Sequence, residues 1–209
     1  MKKILFFGII VSLLCCGCSN KKKSDLEKAG LKGDIKTLRE ISYEVVGSND
    51  SVVKGSICED CDNLFATYNE KGNIKEIDSY DENNDLRSKW LYRYNKDGLT
   101  MGGNYYFADG SLQDSTFYIY DKKGNQIEYH HFDSYGTLKN KIMSKYDKKG
   151  NVLEEKAYDS DNSLQSTTTC AYNKKNLMVE NVAYDADNNI QFKSTYSYDK
   201  NGNMIEQLI

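Results

Sequence analysis

Six cysteines, two histidines and a recurrent set of carboxylates are the side chains here whose chemistry goes beyond packing. Cys58-Glu-Asp-Cys61 has the two-residue spacing shared by redox motifs, metal knuckles and small-loop disulfides. Zinc would need two more ligands, and the chain offers only His130 and His131. A thioredoxin-like thiol needs a helix N-terminus, which the surroundings do not provide. The pair therefore reads as a structural disulfide or as free thiols at a turn, and Cys170, two before Tyr172, reads as a buried thiol in an aromatic slot. Glu76, Glu128, Glu154, Glu180 and Glu206 recur at one position of a repeating frame. Two of them could mimic a glycosidase pair, but a carboxylate present in unit after unit suits a cross-strand partner for lysine better than a catalyst. Asp159-Ser-Asp161-Asn162 and Asp185-Ala-Asp187-Asn188 have calcium-loop acids without the Glu at the twelfth position, and both fall on the turn frame described below. His130 and His131 face opposite sides of a strand, and no nucleophile-base-orienter set can be picked out. No enzymatic activity, metal or cofactor is expected.

The N-terminus carries a different chemistry. Lys2 and Lys3 precede an apolar run from Ile4 to Leu14, too short for a mature membrane span, and Leu14-Cys15-Cys16-Gly17-Cys18-Ser19 follows. This resembles the lipobox of bacterial lipoproteins, which implies cleavage before Cys18 and acylation of that cysteine. Cys16 is the second choice, and an ordinary secretory signal is the alternative. Cleavage removes two lysines and takes the formal charge from -3 to -5. Acyl chains hold a protein on a membrane because each buried methylene adds about 0.8 kcal/mol. The expected address is the cell envelope, lipid-anchored at the outer membrane and facing the periplasm, with surface exposure as the alternative.

The elements that must position any site come from repeats. Tyr68, Tyr94, Tyr120, Tyr146, Tyr172 and Tyr198 are spaced 26 residues apart, and Tyr80, Tyr106, Phe132, Tyr158 and Tyr184 each follow one of them by 12. Four positions after every one of these aromatics stands Gly or Asn, and Asp or Asn follows the aromatic at once in all cases but Phe107. A hairpin loop built on a type I turn ends in a residue of positive φ, which Gly and Asn supply, while Asp or Asn at its start bonds the turn backbone. The runs between turns suit strands rather than helices. In 86–94, Leu86, Trp90, Tyr92 and Tyr94 alternate with Arg87, Lys89 and Arg93, giving an apolar and a polar face. The fold expected is all-β, an antiparallel up-and-down meander of about 12 to 14 strands built from 26-residue double-hairpin repeats. It forms either a curled open sheet or a wrapped, barrel-like one. Each 26-spaced tyrosine should cover the aliphatic residue of the strand between.

Tyr120-Asp-Lys-Lys-Gly-Asn125, Tyr146-Asp-Lys-Lys-Gly-Asn151 and Tyr198-Asp-Lys-Asn-Gly-Asn203 resemble the YD (tyrosine-aspartate) repeats of the RHS family. The resemblance covers 68–209 and implies β-hairpins wound into a curved sheet, which in long members forms a shell around a toxin. Asn stands where that family often has Arg after the glycine, and the array is too short to enclose a cargo.

The chain divides into a signal peptide (1–17), a lipidated N-terminus and polar tether (18–32), N-terminal strands (33–67) and the repeat sheet (68–209). The stretch 34–46 has helix-forming residues, but Ile41, Tyr43 and Val45 alternate and favour a strand. It is expected to join the first repeat strand through a short strand at 51–57. The balance of 28 basic and 31 acidic residues excludes the concentrated basic surplus of nucleic-acid binders. The function expected is a binding or scaffold module for an envelope protein or glycan, with Trp90, Tyr92, Tyr105, Tyr106 and Tyr118 as the contact residues. An immunity or accessory protein associated with a toxin, and a purely structural envelope protein, are the alternatives. Oligomeric state is not legible in the sequence.

Overall fold

Residues 23–46, 53–59 and 61–209 are described by a computed structural model. The expected signal peptide (1–17) and Cys18 lie outside them. A one-turn helix, α1 (Asp25–Lys28), precedes fifteen strands. These are β1 (Thr37–Glu40), β2 (Tyr43–Val46), β3 (Val53–Ile57), β4 (Asn63–Tyr68), β5 (Ile74–Tyr80), β6 (Leu86–Tyr94), β7 (Thr100–Phe107) and β8 (Leu112–Tyr120). They continue as β9 (Gln126–Asp133), β10 (Leu138–Tyr146), β11 (Val152–Tyr158), β12 (Leu164–Tyr172), β13 (Met178–Asp185), β14 (Ile190–Tyr198) and β15 (Met204–Leu208).

Thirteen strands form one antiparallel sheet in the order β1, β4, then β5 through β15 in sequence. β1 and β15 are its two edges and do not meet, so the sheet is open rather than barrel-like. The N-terminal stretch departs from the expected arrangement. It splits at Ile41–Ser42 into β1, which pairs directly with β4 through Thr37↔Thr67, and β2, which forms a separate hairpin with β3. The split is pinned by Asn63, whose side chain accepts from the Ser42 N–H and donates to the Asp81 carbonyl.

The eleven turns from β4 to β15 share one construction. In each, the N–H of the first residue donates to the carbonyl four residues on, and the N–H of the fourth donates back to the first. The fourth residue has positive φ at Gly72, Asn84, Gly98, Gly110 and Gly124, and the series continues to Gly202. In Asp147 the carboxylate accepts from the Lys149 and Asn151 N–H groups, which holds its pKa below the ordinary carboxylate value. At 107–110 the first residue is Phe107, and Asp109 takes over by accepting from the Ser111 N–H.

Successive turns alternate between two rims of the sheet. The 26-spaced tyrosines lie along one of them, and register shifts just before Tyr68, Tyr94, Tyr120, Tyr146, Tyr172 and Tyr198 re-aim their side chains. Tyr94 Oη donates to the Ile74 carbonyl at 2.6 Å, and Tyr120, Tyr146 and Tyr198 do the same to Thr100, Gln126 and Met178. Each tyrosine thus ties its strand to the start of the preceding one. Each bond contributes about 1 kcal/mol net.

At the N-terminal end of this rim α1 takes the place of a preceding turn. Leu26 N–H donates to the Gly72 carbonyl, and Asp25 accepts from Ile74 N–H and Tyr94 Oη. A Cβ on Gly72 would sit 3.2 Å from Leu26 Cδ1, as one on Gly202 would sit 3.6 Å from Leu177 Cδ1 of the turn before it. α1 therefore caps the stack of turns, the role that terminal units play in repeat proteins. Its own start is closed by a capping box between Ser24 and Glu27. The sheet has no second layer among the described residues, where Leu26, Ala66 and Val182 are the buried apolar side chains.

Candidate functional site

A feature present in every unit belongs to the scaffold, so a site is sought where the frame is broken. The frame glutamates at 76, 128, 154, 180 and 206 have a gap at 102, where Gly stands, and Gly103 follows it. Four of the five filled positions behave as cross-strand partners, and Glu128 instead meets a residue of its own strand. Glu76 pairs with Lys89, Glu154 with Lys145, and Glu180 with Lys193, while Glu128 meets His130 and Glu206 meets Ser197. Lys145 lowers the Glu154 pKa by a direct hydrogen bond, and Glu154 raises that of Lys145.

At β7 two consecutive glycines leave both faces of the sheet without side chains. Gly102 has φ of 132°, and a Cβ there would run into the Thr116 carbonyl. A Cβ on Gly103 would lie 2.7 Å from the Leu91 carbonyl oxygen. Both residues are buried by their flanking strands.

On the Gly103 face the neighbours are aromatic. Gly103 pairs with Tyr92 on β6 and Thr116 on β8, and Trp90 pairs with Tyr105. Alternation puts Trp90, Tyr92, Tyr105 and Tyr118 on this one face, with Gly103 as the floor between Tyr92 and β8. Trp90 stacks on Tyr105 with centroids 4.6 Å apart and lies 6.1 Å from Tyr92; Tyr118 lies 5.6 Å from Tyr129. All are half-buried. Burial raises the Tyr92 pKa, and nearby Tyr118 and Asp25 add to the rise.

Polar groups flank the rings. Asp114 pairs in register with Tyr105, and its carboxylate lies 3.7 Å from His131 Nε2. The hydroxyls of Tyr92, Tyr105 and Tyr118 make no hydrogen bond to another described residue, in contrast to the rim tyrosines. The notch therefore brings aromatic rings, hydroxyls with no hydrogen-bond partner among the described residues and an imidazole-carboxylate pair together along one surface.

Of the five contact residues read from the sequence, four are brought together and one is not. Tyr106 pairs with Lys89 and accepts a hydrogen bond from Asn104, which places it on the opposite face. It follows Tyr105 directly, and adjacent strand residues point apart. The polar flank of Asp114 and His131 was missed by sequence reading, as was the double-glycine floor. The gap at 102 in the glutamate series was the available signal.

The other cysteines are accounted for separately. Cys58 and Cys61 are joined in a disulfide with Cα atoms 5.3 Å apart, at the start of the segment between β3 and β4. Cys170 is a free, half-buried thiol that accepts from Asn181 Nδ2. Among the described residues no cluster of three or more His, Cys, Asp or Glu is arranged to hold a metal, and no helix is long and apolar enough to cross a membrane.

A protein family described only as "uncharacterised protein" matches residues 136–209. No curated protein matches the chain. Among solved structures, a porin-like protein from Bacteroides uniformis is similar at 13% identity and a TM-score of 0.40, over 78% of this chain and 60% of that one. The TcdB2-TccC3 complex is similar at 13% identity and a TM-score of 0.32, over 78% of this chain. A Photorhabdus luminescens Tc holotoxin pore gives 12% and 0.29 over 79%. This chain spans 12% and 11% of those two toxin chains.

Proposed function

We propose that this protein is a lipid-anchored component of the bacterial cell envelope that binds a glycan across the Trp90 face, without catalysis. The reading of the anchor rests on the Cys18 lipobox, and that of the binding on one observation. Where the repeat frame is broken by Gly102 and Gly103, four aromatic rings gather on one face with three hydroxyls unpaired among the described residues. Sugars present C–H faces that stack on flat aromatic rings and hydroxyls that exchange hydrogen bonds with phenols and carboxylates. Trp90 and Tyr105 supply the platform, Tyr92 and Tyr118 the sides, and Asp114 with His131 the polar end.

The test is calorimetric titration of the full chain with soluble envelope glycans, namely peptidoglycan fragments and lipopolysaccharide core oligosaccharides. Saturable binding that falls at least tenfold in W90A and Y118A, and is unchanged in Y158A on β11, is the expected result. No saturable heat with either glycan class, or equal losses in all three variants, would remove the glycan reading and leave the structural or protein-partner roles.

A further inference from the structure

The two rims of the sheet carry opposite charge. On the tyrosine rim the turns read Asn-Glu-Lys-Gly (69–72), Asn-Lys-Asp-Gly (95–98), Asp-Lys-Lys-Gly (121–124 and 147–150), Asn-Lys-Lys-Asn (173–176) and Asp-Lys-Asn-Gly (199–202). These tetrads hold nine lysines and five carboxylates. On the opposite rim they read Asp-Glu-Asn-Asn (81–84), Phe-Ala-Asp-Gly (107–110), Asp-Ser-Tyr-Gly (133–136), Asp-Ser-Asp-Asn (159–162) and Asp-Ala-Asp-Asn (185–188). Those hold eight carboxylates and no basic residue.

The rim lysines are exposed and carry free charge. None of them forms an ion pair among the described residues, whereas Lys89, Lys145 and Lys193 on the sheet face are each paired with a frame glutamate. The carboxylates of Asp121, Asp147 and Asp199 point into their own turns, where they accept from turn N–H groups and stay ionised, so nine lysines against five carboxylates leave the rim tetrads a net charge of +4. Lys71, Lys123 and Lys175 each donate to the carbonyl of the lysine 25 residues on, an arrangement that fixes the ammonium groups along the rim without neutralising them. With strands about 4.8 Å apart and turns two strands apart, the six turns form a row about 50 Å long.

Two further observations point to what this row meets. The chain enters the structure at the same rim, because α1 packs on the 69–72 turn. At the other end of the row an open cleft of about 500 Å³ is lined by the apolar side chains of Leu177, Val179 and Tyr196 and by Lys174, Lys175 and Lys200, with Asp199 as its one carboxylate. Apolar side chains beside basic ones match a phospholipid, with its phosphate on the lysines and its upper chain carbons on the apolar side chains.

We infer that the lysine rim lies against an anionic phospholipid surface, so that the sheet stands edge-on to the membrane with its acidic rim directed away. Clustered basic residues bind such a surface while they are within a Debye length of it. The acidic rim would be repelled, so the charge asymmetry fixes one orientation. This inference is independent of the glycan reading, because the lysines are at the rim and the notch is on a face.

The test presents the full chain to vesicles of phosphatidylcholine alone and of phosphatidylcholine with phosphatidylglycerol. Lysine acetylation is read by mass spectrometry and partition by flotation. Phosphatidylglycerol should protect Lys122, Lys148, Lys149 and Lys174 but not Lys139 or Lys193, and high salt should abolish the protection. The variant K122E/K148E/K149E/K174E, altered only at exposed turn positions, should lose the phosphatidylglycerol-dependent part of partition at least tenfold. An acyl anchor contributes equally to both vesicles, so their difference isolates the rim. Equal lysine protection by the two vesicle types would overturn the inference, as would unchanged partition of the variant; either result would return the rim to solvent or to a protein partner.

Discussion

Strands β7 and β11 occupy the same place in the 26-residue frame, two units apart, and do different things with it. β11 carries Glu154, which reaches Lys145 and Lys156, and Glu155, which accepts from Ser144. β7 has Gly102 and Gly103 at those two positions, which lets the flanking strands approach closely, and Trp90, Tyr92 and Tyr118 stand on the Gly103 face beside them. The turns at both ends of the two strands are built alike. The contrast shows that the turn frame fixes the sheet, which frees the faces to vary. A repeat holds its fold through positions that recur and acquires a site through positions that do not.

The largest effect that can break this contrast comes from restoring side chains to β7. Gly102→Ala meets both a strained φ and the Thr116 carbonyl, and Gly103→Val meets the Leu91 carbonyl. Each is expected to lose about 3 kcal/mol, as overpacking and backbone strain do. Glu154→Ala on β11, whose half-buried carboxylate pairs with the exposed Lys145, should lose less than about 1 kcal/mol. Urea denaturation of the three variants checks the ranking.

Tyrosine hydroxyls give the next contrast. Tyr94→Phe removes bonds to the Ile74 carbonyl and the Asp25 carboxylate and should cost about 1 to 2 kcal/mol. Tyr105→Phe removes a hydroxyl that bonds no other described residue, so its stability should stay within about 0.5 kcal/mol of the parent. The same variant is expected to weaken glycan binding. A Tyr105→Phe variant as unstable as Tyr94→Phe would mean that the notch is scaffold.

A pH-dependent effect follows from the rim. Burial, with smaller contributions from Tyr118 and Tyr146, pushes the Tyr120 pKa up to about 12. A group whose folded pKa is raised contributes stability that is complete below its unfolded value of about 10 and is lost as pH rises through the folded one. Stability should therefore decline between about pH 10 and 12, in step with late phenol ionisation in an ultraviolet titration. At the acid side the sign reverses. Asp147, held low by turn N–H groups, contributes stability above about pH 4 that disappears as pH falls through its folded value. The acid effect should be the smallest of the set, because the carboxylate is solvent-exposed, and denaturation midpoints followed from pH 6 downward will measure it.

The turns and the strands they join were legible because each demand was local. Asp or Asn at the first position in ten of the turns and Gly or Asn at the fourth in all of them satisfy a turn with no help from distant residues, and every one of the eleven marked fourth positions has positive φ. The rim tyrosines were legible by spacing, yet their hydroxyl bonds were not, because the register shift that re-aims each ring arises from strand pairing. The N-terminal stretch misled for the same reason. Ile41, Tyr43 and Val45 do alternate, but Asn63 fixes Ser42 and sends β2 out of the main sheet. Within the notch, the aromatic residue types could be read but not their faces. Tyr105 and Tyr106 are neighbours in sequence, and only the pairing of Trp90 with Tyr105 decides which of the two joins the platform.

Trp90 is the chain's one tryptophan, so its emission reports on the notch alone. The most direct measurement is quenching of that emission by a neutral quencher, in the free full-length protein and at saturation with envelope glycan. The account predicts a Trp90 that is quenched in the free protein and protected in the complex. A Trp90 already shielded in the free protein and unchanged by any glycan would contradict it, and would make the aromatic face part of the sheet's packing rather than a binding surface.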